Sequence, residues 1–145
     1  MSMHYPEVKR RLEEILDIYE LEAFSTSRPQ QDTISTLDSL KNLGVKLGLV
    51  TNDGSKAAYH ALTRFSLLRY FDVIVTRDDV ERIKPRPDGI LKALSVLKIP
   101  ARQVLFVGDS YLDIIAAREA GVDVAAVIGG VHPAERLRGF SPQYL

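Results

Sequence analysis

Apolar and polar positions follow two different rhythms along this chain. Over residues 6–22, Val8, Leu12, Ile15, Leu16 and Tyr19 recur at helical spacing, with Lys9, Arg10, Arg11, Glu13 and Glu14 between them. That spacing predicts an amphipathic helix laying one face on a core, and Pro6 suits its first turn. Residues 25–31 are polar and include a proline, the signature of a loop or hinge. Asp32 or Thr33 can then cap a helix carrying Ile34, Leu37 and Leu40, which Gly44 ends.

From Val45 the rhythm changes. Short apolar runs at 45–50, 73–76, 104–107 and 122–128 are long enough for buried strands and too short for helices. Helical patterns lie between and after them, at 55–65 with Ala58, Leu62 and Phe65, at 88–97 with Ile90, Leu91, Leu94 and Leu97, at 110–120, and briefly at 133–138. Gly121 fits the position just past the end of the 110–120 helix. Strand and helix alternating at this spacing predict β-α-β units, a parallel sheet and helices on both of its faces. The last residues, 142–145, read as the approach to another element.

Composition narrows the classes. The chain has 145 residues, 46% hydrophobic and 26% charged, with a formal net charge of zero. That is a one-domain length with globular composition, and nothing global calls for nucleic acid or an anionic membrane. No apolar run approaches the ~18–20 residues of a membrane span. There is no cysteine and no apolar leader at residues 1–5, so a soluble cytoplasmic protein is the expectation.

Candidate chemistry sits where strands end. Thr51-Asn52 follows the 45–50 strand, and its hydroxyl and amide next to a helix N-terminus suit an oxyanion such as phosphate. The same residues also suit a plain strand-to-helix turn. Lys84 lies in Lys84-Pro85-Arg86-Pro87-Asp88, where two prolines stiffen the backbone. A fixed cation there can neutralise phosphate charge, whereas Arg86 reads as solvated surface. Asp109 follows the 104–107 strand through Gly108, and Asp113 lies one helical turn later. Two carboxylates at a strand's carboxyl end suit Mg²⁺, which takes one or two carboxylates plus waters and phosphate oxygens. Ser110 with Asp113 also fits a capping box.

Together these segments resemble the haloacid dehalogenase-like hydrolases, in particular their phosphoglycolate phosphatase-like branch, from about Asp32 to the end. Val50-Thr51-Asn52 is similar to the second family motif, Lys84-Pro85-x-Pro87-Asp88 to the third, and Val107-Gly108-Asp109-Ser110-x-x-Asp113 to the fourth. Ala116-Ala117-Arg118-x-Ala120-Gly121 follows the family's wording as well. The resemblance implies an α/β fold with a three-layer, Rossmann-like core around a parallel sheet. It implies a phosphatase acting on small phosphorylated metabolites with Mg²⁺ as cofactor. Thr51 and Asn52 would hold the phosphoryl group, Lys84 would neutralise it, and Asp109 would ligate the metal. Asp113 would support metal waters or Lys84. Residues 1–22 would be a remnant of the helical cap and 23–145 an incomplete core.

One family motif is missing. No apolar run ending in Asp-x-Asp occurs before Thr51, where only Asp17, Asp32 and Asp38 are found. Asp53 imitates the second half of that motif, but Thr51 holds the nucleophile's place and the segment already matches the second motif. The family's attacking aspartate forms a covalent aspartyl-phosphate, so its absence implies a truncated hydrolase, inactive alone. It also leaves the central first strand absent, between the strands at 45–50 and 104–107. A homodimer or a partner chain supplying that strand, or a non-catalytic binding module, are the alternatives that follow.

Overall fold

The computed structural model describes residues 4–145, in two compact units. One takes in the described residues up to Leu47 together with Asp53–Asp72, the other Gly48–Asn52 with Val73–Leu145.

The first unit is helical. Helix α1 (Tyr5–Thr26) begins with Pro6 in its first turn and runs beyond the predicted end, so its last turn takes up the start of the expected hinge. Helix α2 (Thr33–Asn42) has Asp32 at its N-cap position, but no side-chain cap bond forms there. Gly44, at φ +75°, turns the chain out of that helix as its lack of a Cβ allows. Helix α3 (Ser55–Arg64) buries Ala57, Ala58 and Leu62.

Polar groups dock α1 on α3. Asp17 pairs with Lys56 at 3.1 Å, and the Gly54 N–H donates to Glu20 at 2.9 Å. The Arg64 guanidinium donates to the carbonyls of Phe24 and Ser25 at 2.7 and 2.6 Å. The expected core face is therefore corrected. Leu12, Ile15, Leu16 and Tyr19 are exposed, because the side carrying Asp17 and Glu20 is the one held to α3.

The second unit holds the strands. β1 (Gly48–Val50) pairs in parallel with β2 (Val73–Val75), and β3 (Leu105–Gly108) with β4 (Asp123–Ala126). Each strand starts later or ends earlier than its apolar run. Among the described residues the four strands form two ladders rather than one, and β1 does not pair with β3. On the far edge of β4, Tyr144 forms a parallel bridge to Ala125, so residues 142–145 do lead into the sheet. Helices α4 (Asp88–Leu97), α5 (Tyr111–Glu119) and α6 (Ala134–Arg138) complete the unit. The core gathers Ile90, Ile114, Ala117, Val124 and Leu137, with Phe106 packed against it. The opposite face of β3 is open: Leu105 is 50% and Val107 59% exposed.

Asp72 closes the first unit with its side chain, accepting from the Leu47 N–H at 2.8 Å and from Lys41 at 3.1 Å. The Leu47 amide first, and Lys41 second, hold its carboxyl below its ordinary pKa of 3.8. A carboxyl depressed in the folded state adds stability that is complete above the unfolded pKa and is lost as pH falls through the folded one. Acid unfolding followed by circular dichroism should therefore show Asp72→Asn losing stability at neutral pH. Its stability should also fall less steeply than that of the parent as pH drops below 3.8.

Candidate functional site

The sequence places its candidate residues at strand ends, and the second unit carries all of them. Thr51 and Asn52 follow β1 directly, and the Thr51 N–H donates to the Val75 carbonyl at 2.9 Å, extending the β1–β2 ladder to the rim. Asn52 then reaches across to the lysine loop. Its Nδ2 donates to the Lys84 carbonyl at 3.1 Å and its Oδ1 accepts from the Lys84 N–H at 3.0 Å. This two-way amide lock fixes the backbone of Lys84, whose bond to Pro85 is cis. Arg77 adds a bond from Nη1 to the Asn52 carbonyl at 3.3 Å.

The Lys84 ammonium is aimed inward. Nζ donates to the Val50 carbonyl at 3.1 Å and to Asp113 Oδ1 at 2.7 Å. Side-chain exposure is 14% for Lys84 and 7% for Asp113, so this is a nearly dry ion pair. Such a pair is costly to desolvate and is held by good geometry and by hydrogen bonds to the remaining lone pairs. Asp113 meets that requirement through its second oxygen, which accepts from the Ser110 N–H at 3.1 Å. Ser110 Oγ in turn accepts from the Leu112 N–H, completing the predicted capping box of α5. The Phe106 ring lies 5.7 Å from Nζ, within cation–π range.

Asp109 is tied down separately. Its Oδ2 accepts from the Val131 N–H at 3.1 Å. Glycines make both carboxylates possible: a Cβ at Gly108 would collide with the Asp113 carboxylate, and one at Gly130 with that of Asp109. The pair Gly129-Gly130 has no part in the sequence analysis above. The available signal was a glycine pair just after a strand, which often marks close backbone approach. The carbonyl of Val50 and the Phe106 ring carry no such signal. Arg86 is exposed and lies 3.9 Å from Glu119, away from this network.

The structure thus joins Asn52, Lys84 and Asp113 into one bonded chain, and Thr51 lines the same cleft together with Val50, Asn52, Val75, Thr76 and Lys84. Toward Mg²⁺ the donor set is thin. Among the described residues no group of three or more His, Cys, Asp or Glu side chains converges. Asp113 has both oxygens engaged, which leaves Asp109 as the carboxylate that fits an ion otherwise held by water and phosphate.

Comparison with known proteins follows the same lines. The chain matches the haloacid dehalogenase-like hydrolase family over residues 2–127. A relative from Caldanaerobacter subterraneus subsp. tengcongensis is 44% identical over 115 residues, 79% of this chain and 52% of its own length. Pyrophosphatase PpaX of Halalkalibacterium halodurans is 35% identical over 117 residues, 81% of this chain and 54% of its own. The chain therefore spans about half the length of the curated relatives it matches. The structure of a predicted phosphoglycolate phosphatase from Haemophilus somnus 129PT superposes with a TM-score of 0.81 at 30% identity, over 88% of this chain and 57% of that one. A hydrolase from Pseudomonas syringae shares the fold at a TM-score of 0.83 and 24% identity, over 98% of this chain and 65% of that one.

The energetics of the ion pair can be checked directly. Asp113→Ala leaves a nearly buried ammonium without its counter-charge, and urea denaturation should show a loss of roughly 3 kcal/mol. Replacing both partners, Lys84→Met with Asp113→Leu, should cost less than the two single changes added together, because no unpaired charge remains.

Proposed function

Because the chain belongs to the haloacid dehalogenase-like hydrolases, we propose that its rim is the phosphate- and Mg²⁺-binding part of a phosphatase site for small phosphorylated metabolites. The observation that carries this reading is the Lys84 ammonium, locked by Asn52 and paired with Asp113 beside Thr51. A lysine whose backbone is fixed at a strand end places positive charge without reorganising when phosphate arrives. Thr51 would donate to a phosphoryl oxygen, with Asn52 shaping the turn. Lys84 would neutralise charge on the phosphoryl group, and Asp113 would act through Lys84 by orienting it. Asp109 would hold Mg²⁺, which when bound supplies further neutralisation of phosphate charge. Names borne by relatives make pyrophosphate and phosphoglycolate the first substrates to try.

The sequence contains no Asp-x-Asp segment, so in this reading the chain supplies no attacking aspartate for a covalent phosphoenzyme. Turnover by this chain alone would then rest on direct attack of water at phosphorus, with expulsion of the ester oxygen and Lys84 favouring the charge that develops. That reaction would be orders of magnitude slower than the covalent route, each tenfold being about 1.4 kcal/mol of barrier.

The two unjoined ladders favour a second form of the same reading. A strand supplied by another chain would enter between β1 and β3 and pair with their unpartnered edges. Helix α1 would be the remnant of a cap, and the cytoplasm is the proposed compartment.

Phosphate release from p-nitrophenyl phosphate and from pyrophosphate, measured with Mg²⁺, tests the proposal. Expected is slow turnover that Asp109→Asn and Lys84→Ala each lower at least tenfold. Calorimetry should show weak Mg²⁺ binding that Asp109→Asn removes. Fast turnover abolished by Asp53→Asn would instead make Thr51-Asn52-Asp53-Gly54 a nucleophile loop. No turnover, with phosphate binding that still requires Lys84, would make the chain a binding module.

A further inference from the structure

Tyr111 opens α5 two residues after Asp109 and takes no part in the proposed chemistry. Three side chains of one later segment converge on its ring. His132 meets it edge-on, with centroids 4.8 Å apart and planes at 64°. Phe140 stacks on it at 5.2 Å and 18°. The Arg136 guanidinium lies 4.7 Å from its centroid, within cation–π range. Aromatic pairs in these geometries attract beyond the area they bury. One ring thus fastens residues 132–140 to the first turn of α5.

The start of that segment is what touches Asp109. The Val127 N–H donates to the Gly108 carbonyl at 2.8 Å, and beyond it the chain leaves the β3–β4 ladder and passes Asp109. Gly130 comes close enough that a Cβ there would collide with the carboxylate, and the Val131 N–H donates to Oδ2 at 3.1 Å. The other carboxylate oxygen has no partner among the described residues. His132 follows Val131 directly. We infer that Tyr111 is a positioning residue for Asp109: by holding His132 it keeps the Val131 N–H on Oδ2, and so keeps Oδ1 in one orientation. A carboxylate already fixed by a hydrogen bond loses less freedom when it takes a metal, and removing such an outer partner costs roughly 10–100-fold in metal affinity. The use of this brace in metal binding rests on the reading of Asp109 as the Mg²⁺ ligand, whereas the brace itself does not. All three contacts are made by the ring, so phenylalanine can stand in for the tyrosine.

Amide hydrogen exchange of the metal-free chain, read by NMR, tests the brace, and Mn²⁺ titration followed by electron paramagnetic resonance tests its use. Mn²⁺ takes the same oxygen ligands as Mg²⁺. Tyr111→Leu should speed exchange at Val131 about tenfold, toward its rate in Asp109→Ala. The Thr51 and Val122 amides, bonded elsewhere in the unit, should keep their parent rates. Mn²⁺ affinity should fall about tenfold. Tyr111→Phe should match the parent in both measurements. His132→Ala, which removes only the edge contact, should move both in the direction of Tyr111→Leu, and it carries the test if the leucine variant does not fold. Exchange at Val131 that neither Tyr111→Leu nor His132→Ala changes overturns the inference. So does a rise shared by all three amides, or a Tyr111→Phe variant that behaves like Tyr111→Leu. Mn²⁺ affinity lost in Asp109→Ala but unmoved in Tyr111→Leu overturns it as well. Mn²⁺ binding indifferent to Asp109→Ala would instead sink the metal assignment of Asp109, and the exchange rates would still decide whether Tyr111 braces that carboxylate.

Discussion

The second unit depends on one short contact, the bond between the Lys84 ammonium and Asp113. Through it the end of β1, the lysine loop and the first turn of α5 become a single polar network. None of the three could hold its share alone. Lys84 without Asp113 would be a nearly buried cation facing one carbonyl. Asp113 without Lys84 would keep its capping bond but leave one oxygen buried and unmet. Burying such charges is tolerable only when the lone pairs and protons are all used, and here both carboxylate oxygens are. The same economy leaves Asp113 little capacity for a metal, which is why Asp109 bears the ligand role in the proposed site.

Much of this was legible in residue order. The strand ends are marked by abrupt changes from apolar residues, Leu49-Val50 and Leu105-Phe106-Val107, to Thr51-Asn52 and Gly108-Asp109, because a buried strand must stop where polar groups begin. The capping box of α5 follows from Ser110 and Asp113 alone. What residue order cannot carry is which of several plausible partners a side chain takes. Asp113 could face metal or lysine by spacing, and only the fold decides for lysine. Asn52 could serve a phosphate or the backbone, and its amide is matched to the backbone of a residue 32 positions away. Helix α1 shows the same limit from the other side. Its periodicity fixes which residues form the apolar stripe, but the choice of docking face went to Asp17 and Glu20, which find charged and N–H partners on and just before α3.

Close approach is the second constraint on the rim. Gly108 and Gly130 stand where a single added carbon would displace a functional carboxylate. Asp109 and Asp113 are thus positioned by missing atoms as much as by hydrogen bonds. A glycine's contribution of this kind leaves no periodic trace, and which carboxylate it makes room for becomes visible only in the fold.

The order in which the chain visits its two units has a consequence for dissection. Gly48–Asn52, including β1, belongs to the strand-bearing unit, yet it is threaded between two stretches of the helical one. No single cut of the polypeptide can separate the units. Cleavage before residue 48 divides the helical unit's own sequence, cleavage after residue 72 parts β1 from β2, and a cut at residue 52 does both. Either unit could be obtained alone only by excising an internal segment and rejoining the ends. On the ribosome, likewise, β1 emerges before every strand and loop it must later meet, and waits for Val73–Val75 and Lys84 to be made.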